Sequence, residues 1–156
     1  MPAVGMVGES GREIAKVFLR MAGGKASCYH ITDKQSKGPK VDVLVAAEAS
    51  PILKNIVPKL DRNDYLIVNA DDKAILPLLS QSEATLITYG FNTRACITAS
   101  SVTDEKLQVC IQRAFQGIDG EERLPQEFSA RVKTEENSDF VLAAAAAWAV
   151  CGAIGE

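Results

Sequence analysis

At 156 residues the chain is long enough for one domain with a sizeable core, and 47% hydrophobic with 24% charged residues is typical of a globular fold. The net charge of −3 and the scattered Lys and Arg residues argue against a nucleic-acid-binding surface, and the longest apolar run, residues 140–154, is too short to cross a membrane. The four cysteines lie far apart without a CxxC pair, and no signal-peptide pattern is seen, so we expect a reduced, cytoplasmic protein.

Apolar runs alternate with helical patterns along the first half of the chain. The apolar stripe of Ile14, Val17, Phe18 and Met21 predicts a helix that ends at Gly23-Gly24. Strands are predicted at Ala3–Val7, 27–32, 41–47, Tyr65–Asn69 and Thr85–Tyr89. The segments between the later strands predict a loop at 33–40, a helix at about 50–60 that Pro58 shortens or bends, and a short helix at 71–79. This order predicts a three-layer α/β sandwich with a mainly parallel, Rossmann-like sheet.

The second half of the chain has a different pattern. Three strand-like segments, at 95–102, 107–115 and 128–133, are joined by polar turns with no helical pattern between them, which predicts antiparallel strands that extend or flank the sheet. A long helix then begins at Asn137 or Ser138 and runs through Ile154. We expect the helix of Ile14 on one face of the sheet and this last helix elsewhere on it.

A glycine-rich segment, Gly5-Met6-Val7-Gly8-Glu9-Ser10-Gly11-Arg12-Glu13, joins the first strand to the first helix, where a phosphate-binding loop is found in many α/β folds. A phosphate loop also needs a Lys for the phosphates and a hydroxyl for Mg²⁺, and those two positions hold Arg12 and Glu13. The same residues fit a capping box, in which Ser10 and Glu13 satisfy the end of the helix. A capping role, retained nucleotide binding and another ligand are therefore all open.

Other polar residues have equally open roles. Glu48 ends a buried strand at the edge where α/β sheets bind ligands, or it is simply a polar residue at a strand end. Asp71 and Asp72 either bind a cation or stabilise a helix N-terminus. The single histidine, His30, lies in an apolar strand and is expected to be a packed or edge residue rather than a catalyst.

Several of these segments resemble the central ATP-binding domain of the Mur ligase and folylpolyglutamate synthase superfamily. Gly5, Gly8 and Gly11 fall on the glycines of its G-x-T-G-T-x-G-K-T loop, and Asn69-Ala70-Asp71-Asp72 matches its N-x-D-D motif. Glu48-Ala49-Ser50 resembles the E-x-S sequence that contains the family's metal-binding glutamate. Leu86-Ile87-Thr88-Tyr89-Gly90 resembles the strand that follows in the family. Glu136-Asn137-Ser138 resembles the H-N sequence at the start of the family's next helix, but the His is absent.

The resemblance implies a site for ATP and Mg²⁺ at these residues. Its implied nucleotide and phosphate ligands are Gly8, Glu9, Ser10, Gly11, Arg12, Glu13, Asn69, Asp72 and Asn137, with Glu48 as the metal ligand. Arg12 and Glu13 depart from the family's Lys and Thr, and the long insertion between loop and glutamate has no counterpart. The flanking substrate domain and closing domain of the family are expected to be missing, so the whole chain is interpreted as one Mur-ligase-like domain.

Three functions follow as alternatives. The first is a degenerate module that binds a nucleotide, a cell-wall-type phosphorylated metabolite or a protein partner, without ligase activity of its own. The second is an ATP-dependent amide-forming ligase subunit that borrows domains from another chain. The third is a structural or assembly subunit.

The last predicted helix also gives an expectation about association. Because residues 140–154 have almost no polar face, one contact with the sheet leaves apolar surface uncovered. We therefore expect a homodimer or a stable protein partner, with Trp148 buried at or near the contact, and neither a nucleic-acid nor a membrane partner.

Overall fold

A computed structural model describes residues 1–32, 40–79 and 82–152 of the protein. The parallel part of the sheet contains β1 (Ala3–Val7), β2 (Ser27–Ile31), β3 (Val43–Ala46), β4 (Tyr65–Asn69), β5 (Thr85–Tyr89) and β6 (Ile97–Val102). The later strands are β7 (Lys106–Ile111), β8 (Phe115–Gln116), β9 (Glu122–Arg123) and β10 (Gln126–Arg131). The helices are α1 (Gly11–Ala22), α2 (Leu53–Ile56) and α3 (Ser138–Cys151), with 3₁₀ turns at Val57–Lys59 and Leu76–Leu78.

The main sheet of the described residues has eight strands in the order β10-β7-β6-β5-β4-β3-β1-β2. Strands β1 to β6 pair in parallel, whereas β7 pairs antiparallel with both β6 and β10. This confirms a mainly parallel sheet extended by antiparallel strands. The chain leaves β1 towards β2 on one side and returns to β3 on the other, so the strand order reverses beside β1, which is where open α/β sheets bind ligands.

Two helices cover one face of the sheet. The stripe predicted for α1 is buried at Ile14, Val17 and Phe18, and Gly23 ends the helix with a left-handed φ of 54°. A second core on the opposite face contains Leu53 and Val57 of the α2 segment, packed against β3 and β4. The three-layer arrangement is therefore confirmed over the parallel part of the sheet.

Helix α3 packs beside α1 on the same face, where α1 lies over β1 and β2 and α3 lies over β3 to β7 and β10, so the expectation that it packs elsewhere on the sheet is confirmed. Its residues from Val141 to Ala147 are fully buried. Trp148 is half-buried within the fold, with its ring edge-on to Phe18 at a centroid distance of 6.4 Å. The exposed helix face that motivated a homodimer is thus not observed, because α1 and the sheet together cover α3. Association with a second copy or a partner stays a prediction.

A small hairpin of β8 and β9 covers the C-terminal end of α3. The guanidinium of Arg123, whose side chain is only 5% exposed, donates to the carbonyl oxygens of Ala149 at 2.7 Å and Val150 at 3.4 Å, and pairs with Asp119 at 3.0 Å. A cation at this end of a helix meets carbonyl groups that have no partner within the helix. This hairpin was not predicted from the sequence.

Most predicted elements are found, but two differ. The helix expected at 71–79 is wrong, because Asp72 accepts from the amide of Ala74 and forms a turn, and only the 3₁₀ turn at Leu76–Leu78 follows. The helix expected at 50–60 is reduced to α2, and a 3₁₀ turn containing Pro58 follows, as that proline predicts. The predicted loop at 33–40 lies outside the described residues except for Lys40, and Ile154 lies outside them as well.

Candidate functional site

The loops that follow β1, β3, β4 and β5 all emerge at one edge of the sheet, because these strands run parallel. Most of the predicted site residues lie on these loops. They are Gly8, Glu9, Ser10 and Gly11 after β1, Glu48 after β3, and Asn69 and Asp72 at the end of β4.

The loop after β1 is bound to the carboxylate of Glu48. The amide of Ser10 donates to Oε1 of Glu48 at 2.9 Å, and the Ser10 hydroxyl donates to Oε2 at 3.3 Å. Gly8 has a φ of 103°, and a Cβ built on it would lie 2.8 Å from Oε1 of Glu48. Glycine is required here both for the backbone conformation and for the close approach of this carboxylate.

The capping box predicted for Ser10 and Glu13 does not form, so this prediction is wrong. Ser10 precedes α1 with helical backbone angles and its side chain makes no capping hydrogen bond. The Glu13 side chain is 52% exposed and lies 3.9 Å from Lys16, one turn along the helix. Arg12 is exposed as well. The hydroxyl of Ser10 is directed instead to Glu48, a residue that is distant in sequence.

His30 supports the same loop from β2. Its Nε2 lies 2.8 Å from the carbonyl oxygen of Gly8, and since a carbonyl only accepts, Nε2 carries the proton. A Cβ on Gly11 would be 2.6 Å from Cδ2 of His30, so the start of α1 packs directly on the imidazole. His30 is therefore a half-buried residue of the edge strand β2, packed against the start of α1, in agreement with the predicted packed or edge position.

The N-x-D-D residues link three loops to one another. Asn69 donates from Nδ2 to the carbonyl of Ala47 at 3.2 Å and accepts from the amide of Asp71 at 2.9 Å. Asp72 accepts from the amide of Ala49 at 3.1 Å. Asp71 accepts from the amide of Phe91 at 2.8 Å. These polar side chains therefore use their hydrogen-bonding groups to fix the edge of the sheet.

The carboxylates of this edge act together on Tyr89. Burial is the main cause that raises the pKa of the Tyr89 phenol, and the negative charges of Asp139, Glu48, Asp71 and Asp72 raise it further. Burial, followed by the charge of Asp71, also raises the pKa of Asp139. The buried phenol of Tyr89 thus lies close to four carboxyl groups of this edge.

Asn137 caps α3, as predicted from the sequence. Its side-chain oxygen accepts from the amide of Asp139 at 2.8 Å. The preceding Glu136 makes two hydrogen bonds to Arg20 of α1, at 2.7 and 3.0 Å. Asn137 is exposed, and its observed hydrogen bond is the helix cap.

A cavity of about 210 Å³ lies beside the loop after β1. It is lined by Gly8, Glu9, His30, Ile31, Thr32 and Ser50. Pockets for drug-sized ligands usually have about 300–1,000 Å³, so this space suits a smaller molecule. Glu9 is exposed and reaches the rim of this cavity rather than the Glu48 contact.

Sequence reasoning found the residues of this edge but missed how they contact one another. Ser10 and Glu48 are 38 positions apart, and Gly8 and His30 are 22 apart, so no local spacing connects them. Within the described residues no group of three or more His, Cys, Asp or Glu side chains is arranged to hold a metal ion. No helix in that part of the chain has the length and apolar composition needed to cross a bilayer.

Comparison with known proteins supports the fold. The sequence matches no known protein-family profile and no curated protein. Among solved structures, it is similar to a murein peptide ligase, Mpl, from Psychrobacter arcticus 273-4, with a TM-score of 0.62 and 8% sequence identity. The alignment covers 95% of this chain and 44% of the ligase, so the chain spans less than half of that protein. The chain therefore has a Mur-ligase-like fold, and at this identity the likeness shows the fold alone.

Proposed function

We propose that this chain is a degenerate Mur-ligase-like domain that serves as a binding module and has no ligase activity of its own. The observation that carries the proposal is the hydrogen bond from the Ser10 amide to Glu48. In a phosphate loop, amides at the helix N-terminus bind the phosphate oxygens. Here a carboxylate of the chain itself accepts from that amide.

The side chains needed for phosphoryl transfer are also replaced. Stabilising a transferring phosphoryl group requires a positioned cation and a metal ligand. Arg12 supplies a charge, but Glu13 replaces the hydroxyl and is paired with Lys16 on the exposed surface of α1. The residues at these positions therefore do not fit a bound Mg-ATP.

The surroundings of the loop favour the same proposal. Four carboxyl groups lie near Tyr89 at this edge, and like charges disfavour the approach of a nucleotide's phosphates. The neighbouring cavity of about 210 Å³ is small for a nucleoside triphosphate. We propose that the module binds a small metabolite or a protein partner at this edge of the sheet.

Isothermal titration calorimetry of the unmodified chain with Mg-ATP tests the proposal. The expected Kd is weaker than about 1 mM, which corresponds to less than about 4.1 kcal/mol of binding free energy. A Kd in the low micromolar range would contradict it and would favour the alternative of a ligase subunit completed by another chain. An assay of phosphate release from ATP with candidate amine and carboxylate substrates provides the second readout, and no turnover is expected.

A variant with the family's side chains provides the matched comparison. Arg12→Lys with Glu13→Thr removes one negative charge near the loop and restores a hydroxyl. Two like charges about 4 Å apart cost about 1 kcal/mol in water, and Glu13 is exposed, so we expect a gain in Mg-ATP affinity of no more than about tenfold. A gain of several hundredfold would mean that Glu13, rather than Glu48, limits nucleotide binding.

A further inference from the structure

We infer that β10 is the docking surface for a second copy of this chain, whose own β10 pairs with it in the antiparallel direction about a two-fold axis at Ser129. The occupant is thus an identical strand, and the product is one continuous sheet that runs through both copies. The inference goes beyond the proposed function, because β10 begins the strand order whereas β1 and the loop after it lie near the other end.

The outer side of β10 offers backbone groups for pairing. Within the described residues β10 pairs on one side only, with β7. The amide of Val132 donates to the carbonyl of Glu105 at 2.9 Å, so the backbone groups of Val132 point to the β7 side. Since these groups alternate in direction along an antiparallel strand, those of Glu127, Ser129 and Arg131 point away from β7.

The length of this outer edge is limited at both ends. Pro125 precedes β10 and has no N–H to donate. The amide of Lys133 is already used, since it donates to Oε1 of Glu136 at 3.0 Å. In a two-fold pair centred on Ser129, Pro125 of one copy lies opposite Lys133 of the other, so the two limits coincide and the ladder ends in the same way on both sides.

Charge complementarity identifies the occupant as a second copy. Glu127 and Arg131 are exposed, and both lie on one face of β10 because their separation is even. In the two-fold register, Glu127 of each copy lies directly opposite Arg131 of the other, so an opposite-charge pair forms on each side of the axis. Among the described residues neither side chain takes part in an ion pair within its own chain.

Arg131 also has an unfavourable neighbour within the sheet. It lies opposite Lys106 of β7, and both side chains are exposed. Like charges directly opposite each other on adjacent strands are destabilising, and a carboxylate from Glu127 of the second copy offsets this positive charge. The carbonyl of Arg131 accepts from Arg20 at 3.2 Å and keeps one lone pair for a partner strand. An identical strand therefore fits this edge better than an unrelated peptide.

Sedimentation velocity of the unmodified chain over a concentration series measures the association, and a dimer is expected. Glu127→Arg and Arg131→Glu each place like charges opposite one another on both sides of the axis, so each is expected to weaken dimerisation at least about tenfold. Glu122→Arg is the matched control, because it makes the same charge change at an exposed residue of β9, outside the main sheet. The control is expected to leave the dimer unchanged.

Mixing the two charge-reversed chains tests the register itself. Glu127→Arg leaves positive charges at both positions, and Arg131→Glu leaves negative charges at both, so a mixed dimer again has opposite charges on each side of the axis. We expect the equimolar mixture to dimerise at a concentration at which neither chain does so alone. Hydrogen exchange of the Ser129 amide is the local readout, and in the unmodified chain it is expected to slow as the concentration rises, because this amide becomes paired.

Several results would overturn the inference. A chain that stays monomeric up to about 1 mM has no such interface, and a dimer that both charge reversals leave intact lies on another surface. A mixture that stays monomeric, or an equal loss in Glu122→Arg, shows that the contact between Glu127 and Arg131 is not formed. If the single variants do not fold, the double variant Glu127→Arg with Arg131→Glu, which keeps both pairs with the charges exchanged, must dimerise as the unmodified chain does.

Discussion

The contact between Glu136 and Arg20 joins the start of α3 to α1, and Glu136→Gln tests what it contributes to stability. The guanidinium of Arg20 donates two hydrogen bonds to the carboxylate, at 2.7 and 3.0 Å. Glu136 also accepts from the amide of Lys133, and Arg20 donates to the carbonyl of Arg131. The substitution keeps the size and one acceptor oxygen but removes the charge.

The expected loss of unfolding free energy is about 2 kcal/mol. Exposed ion pairs contribute about 0–1 kcal/mol, whereas hydrogen bonds to charged groups contribute about 1.5–3 kcal/mol. The side chains of Arg20 and Glu136 are 27% and 18% exposed, so the pair is only partly screened by water. Its two parallel hydrogen bonds place it towards the upper of these ranges.

The loss is expected to depend on pH. The hydrogen bonds from Arg20 are the main cause that lowers the pKa of Glu136, and the amide of Lys133 lowers it further, against the opposing effect of burial. A carboxyl group with a lowered pKa in the folded state stabilises the fold above its ordinary pKa, and this contribution is lost as the pH falls through the folded-state pKa. The difference between the two proteins should therefore be full at about pH 7 and should shrink on acidification below about pH 4.

Urea unfolding measures this difference, with fluorescence of Trp148 as the probe, since it is the single tryptophan and packs against Phe18. Glu13→Gln is the control, because its partner Lys16 is 73% exposed and the pair should contribute less than about 0.5 kcal/mol. Equal stability of Glu136→Gln and the unmodified chain at about pH 7, or a difference that does not change with pH, would refute the reasoning.

Two further substitutions test the packing. Arg123→Met leaves the carbonyl of Ala149 without its buried donor and is expected to lower the free energy of unfolding by about 3 kcal/mol. A calorimetric scan would record this loss as a Tm lower by roughly 6–12 °C, and a shift under about 2 °C would contradict the capping role. Gly11→Ala places a Cβ 2.6 Å from Cδ2 of His30 and 2.8 Å from the carbonyl oxygen of Met6. The free energy of unfolding in urea is expected to fall by about 1–3 kcal/mol. A neutral or stabilising effect would show that the loop can move away from the imidazole.

Local patterns were sufficient where a segment's own residues decide its structure. The apolar runs at Ala3–Val7, Tyr65–Asn69 and Thr85–Tyr89 form strands with the predicted bounds. The apolar stripe of α1 is buried, and the helix ends at Gly23 as predicted. These features depend on side-chain periodicity and on backbone conformation, both of which can be read within about a dozen residues.

Local patterns failed where a side chain had a choice of partners. Ser10 and Glu13 have the spacing of a capping box, but the hydroxyl of Ser10 binds Glu48, which β3 brings to the loop. Asp72 has the position of a helix-start residue, but it accepts from Ala49 and Ala74 and forms a turn. In both cases a hydrogen-bond partner from a distant loop, an acceptor for Ser10 and a donor for Asp72, competes with the local interaction, and no local rule states which one is made.

The sequence by itself determined that parallel strands alternate with helices and that glycines, carboxylates and Asn69 lie at the carboxyl ends of those strands. Only the tertiary structure decided that the carboxylate of Glu48 accepts hydrogen bonds from Ser10 of the glycine loop and that α1 and the sheet bury α3. The physical reason is that both results depend on contacts between segments far apart in the chain. Such contacts are set by the order and direction of the strands, which the periodicity of a single segment does not encode.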